Sequence, residues 1–142
     1  MEAKGRTGEV VYTAKTRTIG GRDHGVSRSC DGYLDVKLAM PGSGCIGTNP
    51  EQLFAAGWSA CFEGAIGHAA RNKKIKLPAD VIIDAEINLH FDEGGYFLSA
   101  RLNVKIPGIG RPIAQELVDY AKTLCPYSRA TYGNIAVAYN LV

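Results

Sequence analysis

The sequence predicts an α+β domain, in which strand hairpins and two helices share one core. Three features predict it. Residues 53–70 form a segment of helical length interrupted only by Ser59, Glu63 and His68. Two runs of strict apolar/polar alternation flank Asp92-Glu93-Gly94-Gly95. An amphipathic segment then runs up to Pro126. Strands joined by hairpins rather than crossovers give antiparallel sheets, in the order βββ-α-ββ-α-β. The chain has 142 residues, 46% of them hydrophobic and 21% charged, the profile of a single globular domain spanning 1–142.

Taken in order, Glu9 to Arg17 is expected as a first strand, with Val10, Tyr12 and Ala14 on one face. A glycine-rich turn from Ile19 to Gly25 leads to a second strand from Val26 to Cys30. Asp31-Gly32 is a hairpin signal. In the third strand, Tyr33 to Met40, Leu34, Val36, Leu38 and Met40 face inward, and Asp35 and Lys37 outward. The long helix starts at Thr48-Asn49-Pro50-Glu51. Either Asn49 caps it with Pro50 at the first helical position, or Thr48 and Glu51 form a capping box. It runs to about Asn72, apolar nearly all round and hence buried, with Ala55, Ala56, Gly57, Ala60, Gly64, Ala65 and Gly67 permitting close approach of another element.

In the second half, Ile83, Ala85, Ile87, Leu89 and Phe91 form the apolar face of one strand, and Leu98, Ala100, Leu102, Val104 and Ile106 that of the next. Arg111 to Leu124 is the second helix, turning Ile113, Leu117, Ala121 and Leu124 inward, and Pro126 stops it. Asn134 to Val142 is the last strand.

Charge and composition exclude several classes. Lys and Arg number 16 and Asp and Glu 14, a net charge of +2, which argues against nucleic acid or an anionic membrane as the main partner. The first fifteen residues are charged and broken by glycine, so no signal peptide is expected. No apolar run reaches the ~18 residues of a membrane span. A cytoplasmic setting follows as the expectation, and there stable disulfides are rare. The four cysteines, Cys30, Cys45, Cys61 and Cys125, have no C-x₂₋₄-C spacing, so no zinc site is expected.

Cys61 admits two roles. A cysteine inside an apolar helix is ordinarily a small core side chain. To react as a thiolate it would need a nearby cation, because apolar surroundings raise a thiol's pKa. Arg22, on the glycine-rich turn, is suited to supply one, although a solvated loop arginine is the plainer role. A buried arginine would need a carboxylate, and Glu51 could provide it while also capping its helix. Cys125 lies at a helix end, 64 residues from Cys61. The two can join only if the fold brings them together.

These motifs carry a resemblance. The segment from Thr48 to Phe62, TNPEQLFAAGWSACF, resembles the signature helix of the organic hydroperoxide resistance proteins, which belong to the osmotically inducible protein C (OsmC-like) superfamily. Cys125-Pro126-Tyr127-Ser128-Arg129-Ala130-Thr131 resembles their second cysteine motif, and Gly20-Gly21-Arg22-Asp23 their arginine loop. The stretch from Asp31 to Leu38 and Gly133-Asn134-Ile135 also fit the pattern. The loop carrying Cys45 is shorter than in many relatives and Tyr132 stands where many carry arginine, departures that bear on pocket shape and substrate range.

The resemblance implies a thiol peroxidase for alkyl or fatty-acid hydroperoxides, built as an intertwined homodimer on the OsmC-like fold. It makes Cys61 the peroxidatic cysteine, Cys125 the resolving one, Arg22 the activating cation and Glu51 the acid that positions it. Phe54, Trp58, Phe62 and Tyr127 are expected to line the substrate pocket. No resident cofactor or metal is implied. The Cys61–Cys125 disulfide would be reduced by an external dithiol, on a lipoyl-bearing protein. Ten helical residues separate Glu51 from Cys61, roughly 15 Å along the axis. Arg22 and Glu51 of one subunit are therefore expected to meet Cys61 of the other. A binder of apolar ligands and a redox sensor using the same groove are the competing functions. Cys30, Cys45, His24, His68, His90 and Arg129 are assigned no catalytic role.

Overall fold

A computed structural model describes residues 8–142. Residues 1–7, which open the segment read above as lacking a signal peptide, lie outside the described residues. The chain divides into two compact units, Met1–Asn49 and Pro50–Val142.

The N-terminal unit holds β1 (Thr16–Ile19), the short helix α1 (Gly21–His24), β2 (Val26–Ser29) and β3 (Asp35–Lys37), with the three strands antiparallel in sequence order. The first strand is much shorter than the sequence suggests. Its partner β2 is only four residues long, so the ladder ends at the pair Thr16–Ser29. Val10, Val11 and Tyr12 lie outside it, exposed. The glycine-rich turn is wound into α1, entered through Gly20 and Gly21 at φ 83° and 69°. Gly25 ends it. A Cβ there would fall 2.4 Å from the carbonyl oxygens of Ile19 and Gly21, so only glycine fits. Around Asp31-Gly32, the Asp31 carboxylate accepts from the Ser29 hydroxyl and the Tyr33 amide and is held below the usual carboxylate range. The alternation of β3 holds through Leu38, while Met40 is exposed.

The C-terminal unit contains α2 (Pro50–Asn72), β4 (Ile82–Asp92), β5 (Gly95–Lys105), α3 (Arg111–Leu124), α4 (Pro126–Thr131) and β6 (Ala136–Leu141). β4 and β5 pair antiparallel over their full length, from Ile82–Lys105 to Asp92–Gly95, as the alternation and turn signal predict. β6 departs from the all-antiparallel expectation and runs parallel to β5, Ser99 opposite Ala136. The helical segment between them is a crossover, which a parallel pair requires. Pro126 departs too. It closes α3 as expected, but it also opens α4 as its first residue, where the missing N–H costs nothing.

The core of this unit packs Trp58, Phe62 and Ile66 of α2 against Leu102 and Val104 of β5 and Leu117 and Val118 of α3, all without exposed surface. Each such side chain contributes about 1.5–3 kcal/mol by leaving water. α2 is not buried all round. Its buried stripe is Trp58, Phe62, Ala65, Ile66, Ala69 and Ala70, while Ala56, Ala60, Glu63 and Gly64 are exposed. On α3 the inward stripe is Ala114, Leu117, Val118 and Ala121, and Ile113 in the first turn is exposed. At the β4–β5 turn, Leu89, Phe91, Tyr96 and Phe97 are exposed. Among the described residues, no helix is long and apolar enough to cross a membrane.

Candidate active site

α2 delivers Phe54, Trp58 and Cys61 to one side of the C-terminal unit, because spacings of four and three residues bring side chains onto one helical face. α3 and α4 deliver Cys125. Its amide donates to the Ala121 carbonyl and ends α3, and its own carbonyl accepts from the Arg129 amide and begins α4. One residue thus caps both helices. The two thiols are free, and their sulfurs stand 3.5 Å apart. Cys125 is fully buried and Cys61 half-buried. A disulfide bond is about 2.05 Å long, so closing the pair takes a side-chain movement of about 1.5 Å.

Burial pushes the Cys61 thiol up, and its contact with the Cys125 thiol adds to this; the backbone N–H of Tyr127 works in the opposite direction. Nothing in these contacts supplies the positive charge that would make Cys61 a ready nucleophile at neutral pH.

Behind the sulfurs lies a buried polar node. The Ser128 hydroxyl accepts from the Trp58 indole N–H at 3.2 Å and from the Tyr139 hydroxyl at 2.8 Å. The Tyr139 ring packs on Phe62 with centroids 5.2 Å apart, and Lys122 Nζ lies 4.9 Å from its centroid. Burial raises the Tyr139 phenol. At the surface, Phe54 makes edge contacts with Trp58 at 5.5 Å and Tyr127 at 6.1 Å. Tyr127 lies across Gly57, where a Cβ would come within 2.7 Å of its hydroxyl.

The four expected pocket residues therefore differ in kind. Phe54 and Tyr127 keep open surface, whereas Trp58 and Phe62 are wholly buried and support the site from behind. Glu51 stands half-buried in the first turn of α2. Arg22 stands half-buried on α1 of the N-terminal unit. Cys30 and Cys45 are exposed, as are His68, Arg129 and Tyr132. Among the described residues, no three of His, Cys, Asp and Glu gather as metal ligands would. Sequence reasoning did not tie Ser128 and Tyr139, which support Trp58, to the sulfur pair, and it marked Gly57 only as one of the small residues of α2. Ser128 carries a sequence signal only in hindsight, standing three residues after Cys125 as Trp58 stands three before Cys61.

The sequence pattern of the OsmC-like protein family matches residues 41–140. This chain belongs to the OsmC-like family. Within it, the chain is 45% identical over 137 residues to the organic hydroperoxide resistance protein of Xanthomonas axonopodis pv. citri, covering 94% of this chain and 96% of that protein. It is 43% identical over 136 residues to the organic hydroperoxide resistance protein OhrB of Bacillus subtilis, covering 92% and 98%. The crystal structure of OhrB superposes with a TM-score of 0.87, covering 94% of this chain and 100% of that one. The OsmC-like match includes Glu51, Cys61 and Cys125, and Arg22 precedes it.

Proposed function

We propose that this OsmC-like chain is a thiol-dependent peroxidase that reduces organic hydroperoxides to alcohols. The observation that carries the proposal is the sulfur pair, a half-exposed thiol 3.5 Å from a fully buried one. Its likeness to proteins named for organic hydroperoxide resistance supports the substrate class.

The Cys61 thiolate attacks the terminal oxygen of the hydroperoxide, the O–O bond breaks, and the departing alkoxide takes up a proton to become the alcohol. Cys61 is left as a sulfenic acid. The Cys125 thiol displaces its hydroxyl, which leaves as water, and the Cys61–Cys125 disulfide forms. An external dithiol, carried as a lipoyl group on a protein, returns both thiols and leaves as its own disulfide. The cycle uses no resident cofactor.

Arg22 supplies the cation that burial of Cys61 calls for, stabilising the thiolate and the charge developing on oxygen, and Glu51 holds it in place. Ten residues of α2 separate Glu51 from Cys61, about 15 Å along the axis. The cation and its acid therefore come from the second copy of a homodimer. The exposed small residues Ala56, Ala60 and Gly64 suit a close approach of two α2 helices. The substrate tail lies along Phe54 and Tyr127, and burial of its carbons favours alkyl over hydrogen peroxide. The cycle suits the cytoplasm, where thiols are kept reduced.

The test is consumption of an organic hydroperoxide with a supplied dithiol, by wild type and by Cys61→Ser. Turnover by wild type and its loss in Cys61→Ser are expected. Wild-type rates in Cys61→Ser would refute the proposal.

A further inference from the structure

We infer that Ser128 is a positioning residue for disulfide closure: it ties α4 to α2 one helical turn from the sulfur pair and thereby sets how fast Cys125 captures oxidised Cys61. The inference rests on the peroxidase proposal and concerns its second step alone.

The geometry is that of two rungs. Trp58 and Cys61 are three residues apart on α2, and Cys125 and Ser128 are three apart across the start of α4. Cys61 meets Cys125 at 3.5 Å, and Trp58 Nε1 meets Ser128 Oγ at 3.2 Å. Both rungs join the same two elements. The second also reaches β6, because the Tyr139 hydroxyl donates to the same Ser128 oxygen.

α4 needs such a tie. At six residues it is far too short to hold its shape alone. Only Ser128 and Thr131 of it are buried, and the Thr131 hydroxyl bonds back to the Tyr127 and Ser128 carbonyls of the same helix. Ser128 is thus the buried side chain that bonds α4 to its neighbours. Cys125 is the cap of that helix, so motion of α4 is motion of the resolving sulfur.

The sulfenic acid at Cys61 has two fates. Cys125 can condense with it and release water, or a second hydroperoxide can convert it to the sulfinic acid and release an alcohol. The first fate depends on sulfur–sulfur geometry; the second does not. Reactions of well-placed neighbours lose up to about a hundredfold in rate for 1 Å of misplacement. Loosening α4 therefore shifts the partition toward over-oxidation, and it changes the first attack far less, because that step needs no approach of the second sulfur.

The experiment compares wild type, Ser128→Ala and Tyr139→Phe. Stopped-flow kinetics give the rate of the first oxidation. Mass spectrometry across a range of organic hydroperoxide concentrations gives the ratio of Cys61 sulfinic acid to Cys61–Cys125 disulfide. Ser128→Ala is expected to keep the first rate within about twofold and to raise the over-oxidised ratio about fivefold or more. Tyr139→Phe, which keeps the ring on Phe62 and removes only the tie to β6, is expected to move the ratio the same way by less. A purely structural role would lower the unfolding temperature and leave the ratio unchanged, and that result overturns the inference. If Ser128→Ala does not fold, Tyr139→Phe decides alone, an unchanged ratio counting against the inference. Failure of wild type to form the disulfide at all would instead refute the peroxidase proposal.

Discussion

Replacing Gly57 by alanine should displace Tyr127 and weaken selection for bulky hydroperoxides while leaving the fold intact. The added Cβ would lie 2.7 Å from the Tyr127 hydroxyl and 3.3 Å from the carbon bearing it. Comfortable contact begins near 3.5 Å, so the end of the ring must retreat by about 0.8 Å. It can do so, because Tyr127 is partly open to solvent while α4 stays anchored through Ser128. The energies nearly cancel. Alanine gains up to about 1 kcal/mol over glycine inside a helix, and a weakened Phe54–Tyr127 edge contact loses about 0.5–1.5 kcal/mol. The unfolding temperature should move by no more than about 5 °C. If Phe54 and Tyr127 flank the substrate tail, the ratio of kcat/KM for an aryl-alkyl hydroperoxide to that for hydrogen peroxide should fall about tenfold, the equivalent of about 1.4 kcal/mol of tail binding. A crystal structure of Gly57→Ala with Tyr127 unmoved would refute the packing argument. An unchanged ratio with Tyr127 displaced would refute its role in recognition.

Three further outcomes are expected. Cys125→Ser should consume about two equivalents of hydroperoxide, one to reach the sulfenic acid and one to reach the sulfinic acid, and then stall with Cys61 over-oxidised; sustained dithiol-driven turnover, followed by mass spectrometry, would count against Cys125 as the resolving residue. Phe62→Ala should destabilise the chain by about 3–5 kcal/mol, measured by urea unfolding, because Phe62 has no exposed surface and carries the Tyr139 ring. In Arg22→Ala, which lacks the proposed cation, stability should also fall as pH rises beyond the ordinary thiol range. Burial and the Cys125 contact raise the folded pKa of Cys61. The unfolded chain therefore gives up this proton first, and the stabilisation present below the unfolded pKa is lost as pH climbs through the folded one. Urea midpoints across that range should decline less steeply in Arg22→Ala with Cys61→Ser added than in Arg22→Ala alone.

What the sequence made legible was whatever rests on local periodicity. α2, the β4–β5 hairpin and α3 follow from apolar spacing, glycine turns and proline positions. Pairing direction was not legible. The alternation of residues 136–141 marks a strand, but the same pattern fits either orientation, and only the crossover through α3 and α4 makes β6 parallel. Glu9 to Arg17 alternated well enough to suggest a strand, yet a ladder is no longer than its partner, and β2 stops at Ser29. Within the site, Cys61 and Cys125 were picked out by motif, but their approach could not be read from a separation of 64 residues. Ser128 went unnoticed because its partner Trp58 lies 70 residues away and a serine in a short polar motif has no periodicity to betray it.

In the proposed cycle, the 64-position separation of the two sulfurs also couples the redox state to the durability of the fold. In the chain-entropy account, closing a loop of that length removes about 4 kcal/mol of freedom from the unfolded chain. The oxidised protein should then resist heat and proteases better than the reduced one. The same coupling runs in reverse: folding favours the disulfide by the same amount, which lowers its reduction potential by about 90 mV relative to the unfolded dithiol. Molecules waiting for a reductant during peroxide stress would be the sturdier fraction of the population, and the reductant must work against the fold to open them.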